Sequence, residues 1–240
     1  MAICVDHRAI ASPSSATLVL KRTVDVIGSA VALVLLAPLF LVVAIAIRRE
    51  TPGPAFFRQT RVGLRGRPFL IYKFRSMVVG AAANGSALTV GADKRITRVG
   101  AFLRKTKIDE LPQLINVLAG DMSLVGPRPE VPEFVEFYSP EQRAILLSMR
   151  PGITDYAAIL FRDESSLLDQ ERDPIAAYRY KIMPIKFMHY ERYGRNIGVV
   201  NDLRIILATI LMLVWQRVPS WLCREVSTAV GKPQQAGDQK

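Results

Sequence analysis

Sulfur and imidazole chemistry have little to work with in this chain. Its 240 residues include two cysteines, Cys4 and Cys223, near opposite ends, and two histidines. Neither a disulfide framework nor a thiolate metal site follows from that spacing. Acidic residues are also scarce: 21, against 32 lysines and arginines, for a formal net charge of +11. Nucleic acid, anionic lipid headgroups and phosphorylated substrates all suit such a balance. No zinc-finger spacing or long basic helix supports the first, so no nucleic-acid partner is expected. A signal peptide is missing as well. The N-terminal apolar run is too long for an h-region and exits on Arg48-Arg49 rather than on small residues. Internal repeats are absent.

What the chain does have is an apolar run without a charge, Val26 to Ile47. As a straight helix it reaches about 33 Å, enough for a ~30 Å hydrocarbon core. An ordinary spanning anchor is one reading. Pro38 supports another, because proline inside a helix removes a hydrogen bond and bends it. The legs Val26–Ala37 and Leu39–Ile47 would each reach about one leaflet deep. Lys21 and Arg22 precede the run and Arg48 and Arg49 follow it. Basic residues at both ends suit a helix that enters and returns, whereas a spanning helix usually carries them on one side. Proline is tolerated in spanning helices too, so the residues alone leave both topologies open.

The remaining pattern predicts an α+β fold, mostly helical. The expected organisation is a flexible leader over 1–17, the membrane helix over 18–50, a catalytic domain with interfacial amphipathic helices over 51–226, and a disordered tail over 227–240. Thr51-Pro52-Gly53-Pro54 reads as a turn. Strand-like runs Ala55–Arg61 and Phe69–Met77 around Gly63–Arg67 predict a hairpin. On the second strand Phe69, Ile71, Lys73 and Arg75 share a face, which would aim two cations together. Gly80 to Asp93 reads as a mobile loop. Thr97–Lys105 predicts a short basic helix. Leu111, Leu114, Ile115 and Leu118 repeat at helical spacing, with Pro112 suited to the first turn and Gly120 to the C-terminal cap. Ser139-Pro140-Glu141-Gln142 opens a helix expected to run to about Met149. Asp173-Pro174 opens another. The aromatic and basic residues between Ile175 and Tyr193 suit a membrane surface or a partly buried helix. Leu203–Trp215 is too short to span comfortably and is expected to pack on the core or lie in the interface.

Chemistry concentrates at Asp109-Glu110. An Asp-Glu pair on a helix surface is ordinarily two solvated charges. Here Arg104, Lys105 and Lys107 lie just upstream, and Pro127 and Pro129 lock the backbone around Arg128. A rigidly presented guanidinium binds phosphate in two-point fashion. Phosphoryl transfer needs cations on the phosphate, a positioned nucleophile and usually a divalent metal. A carboxylate at a helix N-terminus is kept ionised by the dipole, can act as that nucleophile, and leaves its neighbour to hold magnesium or move protons.

Several spaced motifs carry a resemblance. They are Lys21-Arg22 with Asp25, Pro52-Gly53-Pro54-Ala55-Phe56-Phe57-Arg58-Gln59, Arg61-Val62-Gly63, Lys73-Phe74-Arg75-Ser76-Met77 and Arg95-Ile96-Thr97. Asp109-Glu110-Leu111-Pro112-Gln113, the Gly120 to Pro129 run and Pro151-Gly152-Ile153-Thr154 follow in order. In these the chain resembles the bacterial sugar transferases, the monotopic phosphoglycosyl transferases (polyprenyl-phosphate hexose-1-phosphate transferases), from roughly Leu20 to Val214. The resemblance implies transfer of a sugar-1-phosphate from a UDP-sugar to polyprenyl phosphate, with release of UMP, through a phospho-aspartate. It implies Asp109 as nucleophile and Glu110 as its partner, with magnesium at this pair. Lys73, Arg75, Arg104 and Arg128 would bind phosphate, and Gln113 is a second-tier candidate. It also implies a re-entrant helix bent at Pro38, membrane lipids as partners, and the cytoplasmic face of the bacterial inner membrane. A homodimer stays open.

Two departures from the family pattern stand out. Ala37 occupies the position before Pro38 where relatives often carry serine. Asp155-Tyr156-Ala157-Ala158-Ile159 stands where many have Gly-Trp-Ala-Gln, which marks a subgroup with its own sugar preference. The competing functions are a membrane-bound phosphatase acting on polyprenyl or nucleotide phosphates, and a non-catalytic membrane scaffold.

Overall fold

In a computed structural model, the described residues are 13–215 apart from 82–87, 89 and 92. The leader before residue 13, the tail from 216 and both cysteines lie outside them, as does part of the Gly80–Asp93 loop.

Helix α1, Ser15–Glu50, starts where the Ser14 side chain accepts from the Thr17 N–H, and it runs unbroken through Pro38. The sequence separated two legs there. A proline costs a helix one hydrogen bond, and flanking apolar residues carry it onward. Only 11% of its most apolar window is buried, and it is the one described helix long and apolar enough to cross a membrane. Outward-facing residues include Val31, Val34, Leu35, Leu41 and Val42.

Both ends of α1 are fastened to one body. At the start, Lys21 donates to the Val125 carbonyl and to Asp202, Arg22 to the carbonyls of Val117 and Leu118, and the Leu124 N–H donates to Asp25. At the finish, Val43 and Ile47 pack with Phe74 and Leu103, and Glu50 accepts from the N–H groups of Arg98 and Val99.

That body is mostly helical, with two small sheets. Strands β1 (Phe56–Val62) and β2 (Pro68–Phe74) form the antiparallel hairpin, with Phe56 opposite Phe74. Helix α2 is Arg98–Thr106, capped by Thr97, and α3 is Gln113–Ala119, closed by Gly120 at φ 96°. Between them lies a 3-10 turn, Ile108–Glu110. A parallel pair, β3 (Ser123–Val125) and β4 (Gly152–Thr154), was not anticipated. Helices α4 (Pro132–Val135) and α5 (Pro140–Leu146) separate its strands; α5 has the expected capping box but stops three residues short of Met149.

Helices α6 (Tyr156–Leu160), α7 (Glu164–Asp169) and α8 (Pro174–Ala177) follow. A π-helical turn, Tyr178–Ile182, then runs into α9 (Met183–Arg195). Tyr178, Phe187, Tyr190 and Tyr193 of this stretch are buried and build the core, while Tyr180 is exposed. Helix α10, Val199–Trp215, packs on the core as one of its two expected placements has it. Ile205, Ala208 and Met212 face the core, while Leu203, Leu207, Ile210 and Val214 face outward.

Candidate active site

The turn carrying the two carboxylates is set by Lys107. It takes a left-handed conformation (φ 59°), which ends α2 and starts the 3-10 turn. Non-glycine residues rarely sit there, and such outliers gather at functional sites. Lys107 Nζ donates to the Arg162 carbonyl at 3.1 Å, which holds the turn from outside.

Glu110 is saturated. Lys73 Nζ donates to its Oε1 at 2.8 Å. Arg128 donates to both of its oxygens, the forked arrangement a guanidinium favours. Burial works to raise the Glu110 pKa, but Arg128 and Lys73 outweigh it and hold this carboxyl well below the usual range. The same burial lowers the Lys73 pKa, against the pull of Glu110.

Asp109 is the opposite case. It is 7% exposed, and its Oδ1 is buried without a partner among the described residues. Burial, and then the negative charge of Glu110, push its pKa up to about 6, against Lys73, Arg104 and Lys107. The sequence reading had the helix dipole keep a carboxylate here ionised. In the fold the N–H groups of α3 begin further on, at Gln113, and the cations are taken by Glu110. Two neighbouring carboxyls with divergent environments are the physical signature of divided roles.

Lys73, Asp109, Glu110 and Arg128 are therefore brought together. Arg104, half-buried on α2, is near enough to draw the Asp109 pKa down. Gln113 is almost fully buried in the first turn of α3, with its amide nitrogen unpartnered. Arg75 is elsewhere. Strand β2 ends at Phe74, and the Arg75 guanidinium turns away to donate to the Pro52 and Thr51 carbonyls at 2.6 and 2.8 Å. It caps the exit of α1 instead of joining Lys73. Pro38 is exposed on α1, away from these groups in the chain.

The residues behind Arg128 were missed by sequence reasoning. Arg61 donates to the Pro129 carbonyl at 3.0 Å. Tyr178 donates to Glu130 at 2.8 Å, and Lys186 sits over the Tyr178 ring and pairs with Glu164. The sequence signals were the Pro-Arg-Pro-Glu run and the Arg61-Val62-Gly63 motif, neither of which showed the contact.

A cluster of cations around one saturated and one unsaturated carboxyl, on a body carrying an apolar helix, defines a membrane-associated protein equipped for phosphoryl chemistry. The bacterial sugar transferase family matches residues 16–216. The chain belongs to that family.

Among its relatives is the UDP-glucose:undecaprenyl-phosphate glucose-1-phosphate transferase of Caulobacter vibrioides, 45% identical over 81% of this chain and 69% of its own. The UDP-N-acetylgalactosamine-undecaprenyl-phosphate N-acetylgalactosaminephosphotransferase of Aeromonas hydrophila is 38% identical over 82% of this chain. The chain spans only 44% of that protein's length. An exopolysaccharide production protein of Rhizobium leguminosarum is 39% identical, over 81% of this chain and 94% of its own.

Proposed function

We propose that the chain transfers a sugar-1-phosphate from a UDP-sugar to undecaprenyl phosphate in two steps through phospho-Asp109. The observation that carries this reading is the split pair: Glu110 saturated by Lys73 and Arg128, Asp109 buried with an oxygen that nothing satisfies. In the first step the Asp109 carboxylate attacks the β-phosphorus of the donor. The bond from that phosphorus to the bridging oxygen breaks, and UMP leaves with the electron pair. In the second step an oxygen of undecaprenyl phosphate attacks the same phosphorus, the acyl phosphate bond breaks, and Asp109 returns as a carboxylate. The product is a sugar linked to the lipid through a diphosphate.

Each neighbour has a part in this scheme. With a pKa of about 6, Asp109 is mostly ionised at neutral pH yet less strongly solvated than an exposed aspartate. Lys73 and Arg128 form a cationic floor, locked in place by Glu110 before substrate arrives. Arg104 adds positive charge on the open side. Magnesium fits Asp109, because this metal takes one or two carboxylates and completes its shell with water and phosphate oxygens. Glu110 fits less well, since its oxygens already accept from Lys73 and Arg128. When bound, the ion would neutralise charge on the diphosphate.

The same reading places the protein on the cytoplasmic face of the inner membrane with α1 re-entrant. A straight helix would separate Lys21 from Ile47 by about 39 Å, more than the ~30 Å apolar core. Both ends are nevertheless docked on one body, which supports their lying on one side of the bilayer. The name of the Rhizobium relative supports a role in making a polysaccharide, in which this transfer would be the first membrane step.

The test is a trapped intermediate. Purified protein is mixed with donor alone, quenched and weighed intact. A mass increase of one sugar phosphate, absent in Asp109→Asn, is expected. Product formation with no such adduct at any quench time would sink the two-step scheme. Release of free phosphate without lipid acceptor would favour the phosphatase instead.

A further inference from the structure

Behind Arg128 lies a second group of buried polar atoms with nothing to bond. Asp155 is 2% exposed. Its Oδ1 accepts from the N–H groups of Ala157 and Ala158 and so caps α6, while its Oδ2 has no partner. Tyr138 and Tyr190 are equally buried, and neither hydroxyl has a partner among the described residues. Folded proteins almost always satisfy such atoms, through the chain itself or through something bound.

The backbone brings this group to the phosphate-binding cation. The Gly126 N–H donates to the Thr154 carbonyl at 3.1 Å, and the Gly152 N–H donates to the Pro127 carbonyl at 2.9 Å. The segment leading to Arg128 is thereby laced to the strand that leads to Asp155. The approach is closer than any side chain allows. A Cβ on Gly126 would lie 2.4 Å from the Arg150 carbonyl oxygen, and one on Gly152 would lie 2.0 Å from the Gly126 nitrogen. Tyr138, Ala157, Tyr178 and Tyr190 pack in one cluster, and Tyr178 is bonded to Glu130, two residues past Arg128. Charge effects agree with this proximity. Burial pushes the Asp155 pKa up to about 6, while the α6 N–H groups, Lys186 and Arg128 pull against it.

The chemistry of the group narrows what it binds. A carboxylate disfavours a second phosphate, and three polar atoms disfavour a polyprenyl tail. A carboxylate oxygen accepts, and phenol hydroxyls both donate and accept. Their complement is an uncharged ring with hydroxyl or amide substituents. In a nucleoside diphosphate sugar the hexose is bonded directly to the phosphate that Arg128 would hold.

We propose that Asp155, Tyr138 and Tyr190 form the wall that reads the hexose of the donor and selects which sugar is transferred. This rests on the reaction proposed above.

Donor discrimination is the test. The full chain in membranes is assayed for UMP release with undecaprenyl phosphate and four donors: UDP-glucose, UDP-galactose and their N-acetylamino forms. Tyr190→Phe and Tyr138→Phe each delete a hydroxyl that bonds nothing among the described residues. Asp155→Asn keeps an oxygen to cap α6. The ratio of kcat/KM between the best donor and its epimer is expected to fall about tenfold in Asp155→Asn or Tyr190→Phe, because a site that hydrogen-bonds a hydroxyl discriminates strongly against its loss or inversion. KM for undecaprenyl phosphate stays unchanged. Ratios within about twofold of wild type in all three variants, or a loss shared equally by every donor, would overturn the wall. No transfer from any donor by the unmodified chain would sink the reaction itself.

Discussion

Two lysine–carboxylate clusters sit on either side of the Val125–Pro129 segment, and they differ in one respect. At the base of α1, Asp202 accepts from Lys21 with one oxygen and faces the Tyr193 hydroxyl with the other; Lys21 also donates to the Val125 carbonyl, and the single Tyr193 hydroxyl hydrogen is shared between Asp202 and that carbonyl. Every oxygen is used. At the 3-10 turn, Lys73 and Arg128 saturate Glu110, but the neighbouring carboxyl keeps a buried oxygen with no partner. Buried ionic groups that are fully satisfied fix geometry. An unsatisfied one is costly and persists where function requires it. The first cluster ties α1 to the body; the second is the one proposed to take a substrate.

The contrast is tested most severely at Asp109. Asp109→Asn should leave the fold intact and lower UMP release by at least about 1,000-fold, since the nucleophile is gone. Activity within tenfold of wild type would mean the orphan oxygen is not the attacking group. Lys21→Ala should behave the other way round. Removing one partner from a buried pair costs about 3–5 kcal/mol, and Lys21 and Asp202 are only 11% and 7% exposed at their side chains. Denaturant unfolding should show that loss, while the folded fraction keeps its donor KM. A large donor KM change with unaltered stability would place Lys21 in the site.

Glu110→Gln probes how the second cluster is balanced. The variant should be slower by about 100-fold, because Lys73 and Arg128 lose the anchor that orients them. The pH profile adds a sign. Catalysis needs the ionised Asp109, so kcat/KM for the wild type should fall as pH drops through about 6. Glu110 is the second-largest cause raising that pKa, after burial. Its neutralisation should move the acid limb of the residual activity to lower pH. A limb that stays in place would mean another group is titrating.

How much of this the sequence disclosed depended on the range of the forces involved. Thr97, Ser139, Asp173 and Gly120 each announced a helix end, because a cap is decided within three or four residues. The β1–β2 hairpin was legible for the same reason. Strands β3 and β4 were not, since three residues pairing with partners 29 positions away leave no periodic trace. The raised pKa of Asp109 was not foreseen, because adjacency to cations is visible in sequence, whereas burial and competition from Glu110 are not. The stretch 175–193 carries the same aromatics and cations whether it faces lipid or core, and only packing decided for the core. Membership of the pair Asp109-Glu110 in a cationic site was readable; that the two would have opposite environments was not.

Arg75 offers the mildest test, and it separates strand register from function. Alternation put it beside Lys73, yet β2 ends one residue earlier and its guanidinium bonds the Thr51 and Pro52 carbonyls. Arg75→Lys keeps the charge but loses the fork that spans two carbonyls. If Arg75 is a cap for α1, the variant should lose about 1 kcal/mol, a drop of about 2–4 °C in Tm. Donor KM should remain within about twofold of wild type. Lys73→Arg should do the reverse, disturbing donor binding at the Glu110 floor with a smaller effect on Tm. Should Arg75→Lys raise donor KM tenfold with Tm unchanged, the cation would belong to the phosphate site after all, and the boundary drawn here between the saturated scaffold and the open site would shift toward the end of α1.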